Sequence, residues 1–497
     1  MIDLILQEFK YNPTEPLIFS SGLFLFLFLS FSLVYAMLQN RLTARLLFVT
    51  AFSYYFYYKS SGLYFCLLAF VTISDYLIAA AIGSWRNRHP DGKYNIVCRL
   101  LLALSIAIDH SLLGYFKYTN FFGDIWAQLV GNNFQPQDIF LPVGISFFTF
   151  QSLSYTIDVY RKELKPLGSL LDYAFYVSFF PQLVAGPIVR ARDFVPQIRR
   201  PLQVTDEMFA RGVFFIAIGL FKKAVISDYI SLNFVDRIFD NPSLYSGIEN
   251  LLGIYGYAMQ IYCDFSGYSD MAIGIALLLG FHFPMNFRSP YASVSITDFW
   301  RRWHISLSSW IRDYIYISLG GNRKGRVRTY VNLIVTMLLG GLWHGASLNF
   351  VFWGGIHGVA LAVHKFLRKH VFGHDRGYVS TGMRRVFATI LTFHFVCFAW
   401  IFFRNSTFAG SLTMLSRIAT DFHAELLPQV IAGYPWVFGI MLLGYVTHYL
   451  PESLDRYCIA LLRKGTVVTS AIVLASVIFL VIQTKSSTIQ PFIYFQF

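Results

Sequence analysis

Charged residues are scarce in this sequence, in which 13% of the 497 residues are Asp, Glu, Lys or Arg. A soluble domain carries about 25%, so the composition argues against a soluble fold. Hydrophobic residues make up 56% of the chain and aromatic residues 18%. Because only helices and closed barrels satisfy their backbone hydrogen bonds in lipid, we predict an all-α, polytopic integral membrane protein.

Cysteines and the common catalytic signatures are also few or missing. The sequence contains no GxSxG, P-loop, HExxH or GxGxxG motif, so the usual nucleophile, phosphate, zinc and dinucleotide signatures are absent. We expect neither a metal nor a bound cofactor. No CxxC spacing links the five cysteines, and without it neither a zinc site nor a disulfide framework is predicted: Cys66, Cys98, Cys263, Cys397 and Cys458.

We expect neither a signal peptide nor a linker between domains. Its first residues, MIDLILQEFKYNPTEP, lack a basic segment and a small-residue cleavage site, so the first span is expected to be retained. No Ser-, Gly- or Pro-rich stretch divides residues 1–497, which we expect to form a single integral membrane domain. No duplicated segment is visible, and this weakens a transporter interpretation because many secondary transporters contain internal repeats.

Apolar runs predict about eleven or twelve transmembrane helices, since a bilayer requires roughly 20 apolar residues for each span. Residues 171–189 are also apolar but contain Pro181, Gly186 and Pro187, which indicates a re-entrant segment. The candidate spans are 17–38, 46–58, 62–83, 98–116, 139–158, 208–227, 249–280, 329–343, 347–366, 386–403, 431–450 and 466–485.

The net charge of +13 reflects topology rather than nucleic-acid binding. Basic residues lie in short loops between the spans, whereas loops 120–138 and 228–249 are acidic or neutral. This alternation follows the positive-inside rule. With twelve crossings it puts the basic loops in the cytoplasm and both termini outside. We therefore expect membrane lipids, and no nucleic acid, as partners.

Residues 286–358 place His304 and His344 in apolar and aromatic sequence, and an ionisable group there is a functional-site hypothesis. A single amphipathic helix at the cytoplasmic membrane boundary is predicted from Asp298 onward, because apolar residues recur at spacings of three and four: Trp300, Trp303, Leu307, Trp310 and Tyr314. Thr297 or Ser295 is expected to cap its start, and Gly320 with Gly321 to end it.

The two histidines have different local sequences. At about 100° per residue, His304 falls with Ser308, Arg301 and Arg312 on a polar strip beside the apolar stripe. His344 lies in TMLLGGLWHGASLNF, where neighbouring glycines permit close approach of a backbone or a substrate. His357, in GGIHG, is interpreted equally as a packing residue or as support for a neighbouring group.

For other polar residues within apolar runs we predict structural roles. Asp264 and Asp270, in YCDFSGYSDMAIG, are typical of a polar seam between packed helices. Lys222 and Lys223 are expected to extend to a membrane interface.

The histidines and arginines indicate which reactions the chain could catalyse. A neutral imidazole can take a proton from a hydroxyl group and return it to a leaving group, and burial disfavours its charged form. Guanidinium groups suit phosphate or carboxylate recognition. The residues alone therefore indicate acyl or phosphoryl transfer from an anionic cytoplasmic donor.

Long motifs then point to a family. They include SITDFWRRWHISLSSWIRDYIYISLGGNR, TMLLGGLWHGASLNFVFWGGIHG, LPVGISFFTFQSLSYTIDVYR and QIYCDFSGYSDMAIGIALLLGF. Together they resemble the membrane-bound O-acyltransferase (MBOAT) superfamily, in particular its bacterial alginate O-acetyltransferase (AlgI-like) branch. The resemblance implies helices around a tunnel that joins the two membrane faces, with the catalytic core at about residues 139–403.

The resemblance also implies roles and partners. His344 corresponds to the family's catalytic histidine, and His304 to a polar residue that assists it near the donor entrance. An acyl thioester, expected to be acetyl-CoA, would be the cytoplasmic donor substrate. The acceptor would be an extracytoplasmic polysaccharide, reached directly or through an exported SGNH-type acetyltransferase partner, and the location the bacterial inner membrane. Candidates for substrate or donor binding are Arg301, Arg302, Arg312, Trp303, Trp343, Asp264 and Ser308; the arginines are interpreted equally as contacts for anionic lipid.

Several alternatives stay open. A DltB-like enzyme would transfer D-alanyl groups from a carrier-protein thioester, and an exporter of polysaccharide or lipid would also carry intramembrane histidines and carboxylates. A scaffold that anchors an external transferase would need neither histidine. Alginate, cellulose, peptidoglycan and other exopolysaccharides all offer hydroxyl groups as acceptors.

Overall fold

The computed structural model describes residues 7–13, 15–89, 96–371, 381–484 and 492–493. Regular structure within these ranges is helical and includes no β-strand, which confirms the all-α fold. The described residues group into two compact units. The first contains those within Met1–Gly212 and Ala272–Pro284, and the second those within Val213–Met271 and Met285–Ile493. The expectation of one integral domain stays a prediction.

The first unit contains nine helices among its described residues. They are α1 (Gly22–Met37), α2 (Leu42–Ser61), α3 (Phe65–Arg88), α4 (Ile96–Leu113), α5 (Thr119–Val130), α6 (Ile145–Arg161), α7 (Leu170–Ser178), α8 (Phe180–Leu183) and α9 (Ala191–Ile198).

The segment predicted to be re-entrant lies in the core of this unit. It forms two short helices, α7 and α8, which are interrupted at Phe179. Residues 175–191 are all buried, so protein surrounds the irregular backbone, as is required at membrane depth. Phe180 anchors the segment, with its ring centroid 5.5 Å from that of Phe31 and 5.1 Å from that of Phe52.

The second unit contains the histidine-bearing stretch. Two helices contribute residues to both units, α10 (Asp206–Leu220) and α13 (Gly247–Leu278). The other helices are α11 (Asp228–Ile230), α12 (Asp236–Asp240), α14 (Ile296–Arg302), α15 (Ile305–Ile311), α16 (Arg326–His344), α17 (Leu348–His370), α18 (Gly382–Arg404), α19 (Phe408–Thr420), α20 (Leu427–Gly433), α21 (Pro435–His448), α22 (Glu452–Lys464) and α23 (Val467–Thr484).

Five helical stretches in the described residues are long and apolar enough to cross a membrane, which confirms a multi-pass protein: Leu42–Arg88, Ile96–Val130, Leu348–His370, Gly382–Arg404 and Val467–Thr484. A sixth span is possible only if Ala424–Gly433 and Pro435–His448, which meet at a bend of 97°, are counted together. The candidate span at 431–450 is thus interrupted at Tyr434, because Pro435 lacks the amide hydrogen that a continuing helix requires, and its crossing of the membrane stays a prediction. The count of eleven or twelve spans stays a prediction.

The single helix predicted from Asp298 is also wrong. The chain forms α14 and α15, separated at Trp303 and His304, and then a π-helical turn at Arg312–Tyr316. The predicted cap at Ser295 is confirmed, since its side chain accepts the Asp298 N–H. Gly320 and Gly321 adopt φ angles of 100° and 55°, which confirms the predicted end of the helical segment.

Helices α16 and α17 form a tight antiparallel hairpin. A Cβ atom on Gly341 would overlap the carbonyl oxygen of Phe350, and one on Gly354 would overlap that of Met337. These glycines therefore allow the two backbones to touch, as small residues do between membrane helices. His344, at the end of α16, and Trp353, on α17, are brought together by this contact.

We predict that Gly354→Ala destabilises the purified protein by about 1–3 kcal/mol, because overpacking forces the two helices apart. The matched control is Gly355→Ala, whose Cβ would lie at an ordinary 3.4 Å from the Leu338 side chain. Thermal unfolding in detergent should show a lower Tm for Gly354→Ala alone. Equal Tm values for the two variants would contradict the close contact.

Candidate active site

His304 adopts a strained backbone conformation at the junction of α14 and α15. Its φ and ψ angles are 42° and 56°, a left-handed geometry that costs a non-glycine residue of order 1–3 kcal/mol. Asn286 holds the junction in place. Its backbone carbonyl accepts the Ile305 N–H at 2.9 Å, and its side-chain oxygen accepts the Ser306 N–H at 3.2 Å and the Ser306 hydroxyl at 2.9 Å.

The same asparagine determines which His304 nitrogen carries the proton. The Ser306 N–H can only donate, so the Asn286 atom that it contacts is the oxygen. His304 Nδ1 lies 3.1 Å from that oxygen, which has no hydrogen to give, and Nδ1 must therefore donate. Neutral His304 then carries its lone pair on Nε2. The amide nitrogen of Asn286 donates to Ser269 Oγ at 3.0 Å and fixes the asparagine from the other side.

His304 is fully buried, and its surroundings keep it neutral. The Phe265 ring packs edge-on against the imidazole, with a centroid distance of 4.6 Å. Burial lowers the pKa of His304 to about 3, because an apolar environment disfavours the charged imidazolium. At neutral pH the ring therefore presents an unprotonated Nε2.

His344 occupies the last position of α16 and is 3% exposed. Its ring centroid lies 5.0 Å from that of Trp343, 5.1 Å from that of Trp353 and 5.3 Å from that of Phe403. Gly345 follows it, and a Cβ there would overlap the Phe350 ring. This imidazole is therefore held among aromatic rings from three helices.

The Trp343 ring packs against both histidines. Its ring centroid lies 6.2 Å from that of His304 and 5.0 Å from that of His344. The two histidines, 40 positions apart in sequence, thus contact the same tryptophan. The structure brings together three of the predicted site residues.

His357 supports this arrangement from the other side of Trp353. The two ring centroids are 4.8 Å apart, and the Trp300 indole N–H donates to His357 Nδ1 at 3.3 Å. Because an indole nitrogen only donates, Nδ1 is the acceptor. His357 therefore packs against Trp353, which in turn packs against His344.

The predicted polar strip of His304, Ser308, Arg301 and Arg312 does not form, because the helix is interrupted at His304. Arg312 is exposed and pairs with Asp313 at 2.7 Å, and the Ser308 hydroxyl donates to the Trp303 carbonyl at 3.2 Å. Arg301 is exposed. The imidazole of His304 is buried instead.

Two further candidates have structural partners. Arg302 pairs with Asp298, one turn earlier on α14, at 3.0 Å. Trp303 is 1% exposed and packs against Trp400, with a centroid distance of 5.0 Å. Trp303, directly before His304 in sequence, is therefore a buried packing residue.

Asp264 lies in a network of buried charges. Its carboxylate accepts a charged hydrogen bond from Lys223 Nζ at 2.5 Å and the Ile493 N–H at 2.8 Å. Lys222 pairs with Asp270 at 2.8 Å. The prediction that Lys223 extends to a membrane interface is wrong, because Asp228 and Asp264 hold its side chain, which is 3% exposed, inside the protein. For Lys222, which is partly exposed, it stays a prediction. The predicted polar seam at Asp264 and Asp270 is present.

Asn286 is the residue that the sequence analysis missed. It opens the histidine-bearing stretch, but it carries no motif signal. Its role becomes visible only through its contacts with His304 and Ser306, 18 and 20 positions later. A tertiary hydrogen bond of this kind leaves no periodic pattern in the sequence.

Comparisons with known proteins identify the family of this chain. A model of the membrane-bound O-acyltransferase (MBOAT) family matches residues 161–409, which include the candidate site. "Probable alginate O-acetylase AlgI" of Pseudomonas syringae pv. tomato is 41% identical over 394 residues, covering 78% of this chain and 72% of the relative. "Peptidoglycan O-acetyltransferase" of Helicobacter pylori is 38% identical over 430 residues, covering 80% and 79%.

A less similar relative is named for a different activity. "Teichoic acid D-alanyltransferase" of Bacillus subtilis is 30% identical over 287 residues, covering 55% of this chain and 71% of the relative. The buried histidines thus lie in a multi-pass membrane acyltransferase. The chain belongs to the membrane-bound O-acyltransferase family.

We predict that Asn286→Asp introduces an acidic limb into the pH profile of acyl transfer. A carboxylate beside Nδ1 stabilises the imidazolium and raises the pKa of His304 from about 3. Activity that needs an unprotonated Nε2 should then fall as the pH drops through the raised pKa. The measurement is the rate between about pH 5 and pH 8.

Asn349→Asp is the matched control for that experiment. Asn349 is equally buried in the second unit, but its amide donates to the carbonyl of Asn405 at 2.7 Å. Its replacement should leave the shape of the profile unchanged. A wild-type profile for Asn286→Asp, in a folded protein, would show that Asn286 does not act through His304.

Proposed function

We propose that this chain is an O-acetyltransferase of the bacterial inner membrane that passes an acetyl group from a cytoplasmic thioester to a polysaccharide hydroxyl outside. The observation that carries the proposal is the pair of buried histidines in contact with Trp343, within the family-matched residues. The names of two relatives, an alginate O-acetylase and a peptidoglycan O-acetyltransferase, support a polysaccharide acceptor.

His344 acts as the general base in this proposal. It takes the proton of the attacking hydroxyl while the oxygen forms a bond to the thioester carbon. The carbon–sulfur bond then breaks, the thiolate leaves with the electron pair, and His344 returns the proton to it. General acid and base catalysis of this kind contributes typically 10²–10⁴-fold to a rate. The aromatic rings around His344 exclude water that would otherwise hydrolyse the thioester.

The tautomer of His304 determines its part in the reaction. The family resemblance implies that His304 assists His344, and one way to assist is to stabilise the reacting carbonyl group. Stabilising the carbonyl oxygen requires a donor, however, and Nε2 of the neutral ring is an acceptor, since Nδ1 carries the proton. The attacking hydroxyl has a single proton, which His344 takes. We therefore assign His304 to accept a hydrogen bond from another donor on the acceptor, such as a neighbouring hydroxyl group of the polysaccharide, and so to orient the acceptor toward the thioester.

Exposed arginines are the candidates for donor recognition. Arg312 has a side chain that is 63% exposed, and Arg301 is also exposed. Guanidinium groups bind phosphate with paired hydrogen bonds, which suits the phosphates of acetyl-CoA. A phosphopantetheine thioester on a carrier protein also carries phosphate, so this chemistry fits the D-alanyl donor as well. An exported SGNH-type partner remains part of the proposal for delivery to the polymer.

We predict that His344→Ala lowers acetyl transfer from radiolabelled acetyl-CoA by at least about 100-fold, the lower limit for general-base loss. His110→Ala is the control, because His110 is exposed and contacts its own helix carbonyl at Ile106. Both variants should remain in the membrane fraction with a near wild-type Tm. Transfer by folded His344→Ala at the wild-type rate would contradict the assignment.

The same assay separates the competing functions. An exporter would leave the acetyl-CoA thioester intact, even when wild-type protein and polymer are both present. A D-alanyltransferase would consume a D-alanyl carrier-protein thioester in preference to acetyl-CoA. Only the proposed enzyme would transfer label from acetyl-CoA and lose that transfer on replacement of His344.

A further inference from the structure

An apolar groove lies along α16, α17 and α18 in the second unit. Its volume is about 950 Å³, within the range of roughly 300–1,000 Å³ that ligand sites occupy. Aliphatic and aromatic side chains form nearly all of its lining, which includes Leu338, Val351, Phe352, Val359, Phe395 and Phe398. The groove thus has the size and chemistry for a hydrocarbon chain.

One end of these three helices is basic. The hairpin is antiparallel, since Gly341 lies beside Gly354 and Gly358 lies beside Ile334. The start of α16 therefore lies next to the end of α17. Helix α18 runs in the same direction as α16, because Trp400 stacks on Trp353 and Phe395 packs against His357. Seven basic residues consequently lie at this end: Arg326, Arg328, Lys365, Arg368, Lys369, Arg384 and Arg385.

No carboxylate on these helices offsets that charge. The sequences of α16, α17 and α18 contain no Asp or Glu. Phe395 lines the groove, and Arg384, eleven residues earlier on α18, falls on the same face of that helix at about 100° per residue and lies roughly 16.5 Å away along its axis. A basic residue thus follows the groove-lining face at this end of the helices.

We propose that this groove binds an anionic glycerophospholipid, with an acyl chain against α16, α17 and α18 and the phosphate group at the basic end. Guanidinium groups recognise phosphate well, and basic pockets between membrane helices on the cytoplasmic side bind anionic headgroups. The positive-inside rule places this end in the cytoplasm. A zwitterionic lipid, in which a cationic headgroup offsets the phosphate charge, or a partner helix would gain little from the basic end.

The test uses the purified full-length protein and native mass spectrometry. Wild-type protein is titrated with palmitoyl-oleoyl phosphatidylglycerol and with palmitoyl-oleoyl phosphatidylcholine, which differ only in the headgroup. Phosphatidylglycerol should bind with an apparent Kd lower by at least about fivefold, the effect of one well-placed basic residue. Equal apparent Kd values for the two lipids would overturn the proposal.

Charge variants locate the headgroup. The double variant Arg384→Gln, Arg385→Gln lies at the exposed start of α18 and should bring the two lipids to nearly equal Kd values. Arg463→Gln, Lys464→Gln is the matched control, because it removes two basic residues from the end of α22, away from the groove helices in sequence. A preference that survives the first variant, or is lost equally in the second, would overturn the assignment.

A groove-filling variant locates the acyl chain. Ala360 lines the groove, so Ala360→Trp should weaken the binding of both lipids. Ala471→Trp is its control, since Ala471 is exposed on α23. Unchanged lipid binding by Ala360→Trp, with altered oligomer mass or loss of a co-purifying membrane helix, would assign the groove to a protein occupant instead. If Ala360→Trp proves unstable, the charge variants still decide the proposal.

Discussion

The candidate site depends on one oxygen atom, the side-chain carbonyl of Asn286. It accepts hydrogen bonds from Ser306 N, Ser306 Oγ and His304 Nδ1. The first two stabilise the left-handed backbone of His304, which would otherwise cost energy in a short helix connection. The third fixes the ring orientation and the tautomer. A single amide thus controls where the imidazole lies and which nitrogen carries the lone pair.

Aromatic rings surround the two histidines. Trp343 contacts both histidines, and Trp353 lies between His344 and His357. Such rings exclude water and lower the local dielectric, so each remaining polar contact has more influence than it would have in water. The hairpin glycines determine how near these rings come, because they set the distance between α16 and α17.

The sequence was sufficient for properties that repeat locally. Long apolar stretches predicted the helical membrane fold, and Pro181 marked the broken segment that ends at Leu183. The histidine pair was also found from sequence, because ionisable residues are rare in apolar runs. Motif resemblance then identified the family, which its matching model confirms.

Properties that depend on distant contacts were not accessible from periodicity. The spacing of Trp300, Trp303 and Leu307 continues across the break at His304, so the pattern predicted one helix where there are two. Hydrogen bonds from distant residues stabilise the interrupted form, among them those of Asn286, 18 positions before His304. Lys223 is a second example. Lysines in membrane helices usually extend to the interface, but ion pairs with Asp228 and Asp264 hold Lys223 inside the protein.

Helix α17 connects the candidate active site to the apolar groove. One of its faces carries Trp353 and His357, which are fully buried next to His344. Its opposite face carries Phe352 and Val359, which line the groove. Close-packed helices transmit small displacements because their contacts are not freely deformable. Whatever occupies the groove therefore contacts the same helix that positions Trp353 against the imidazole of His344.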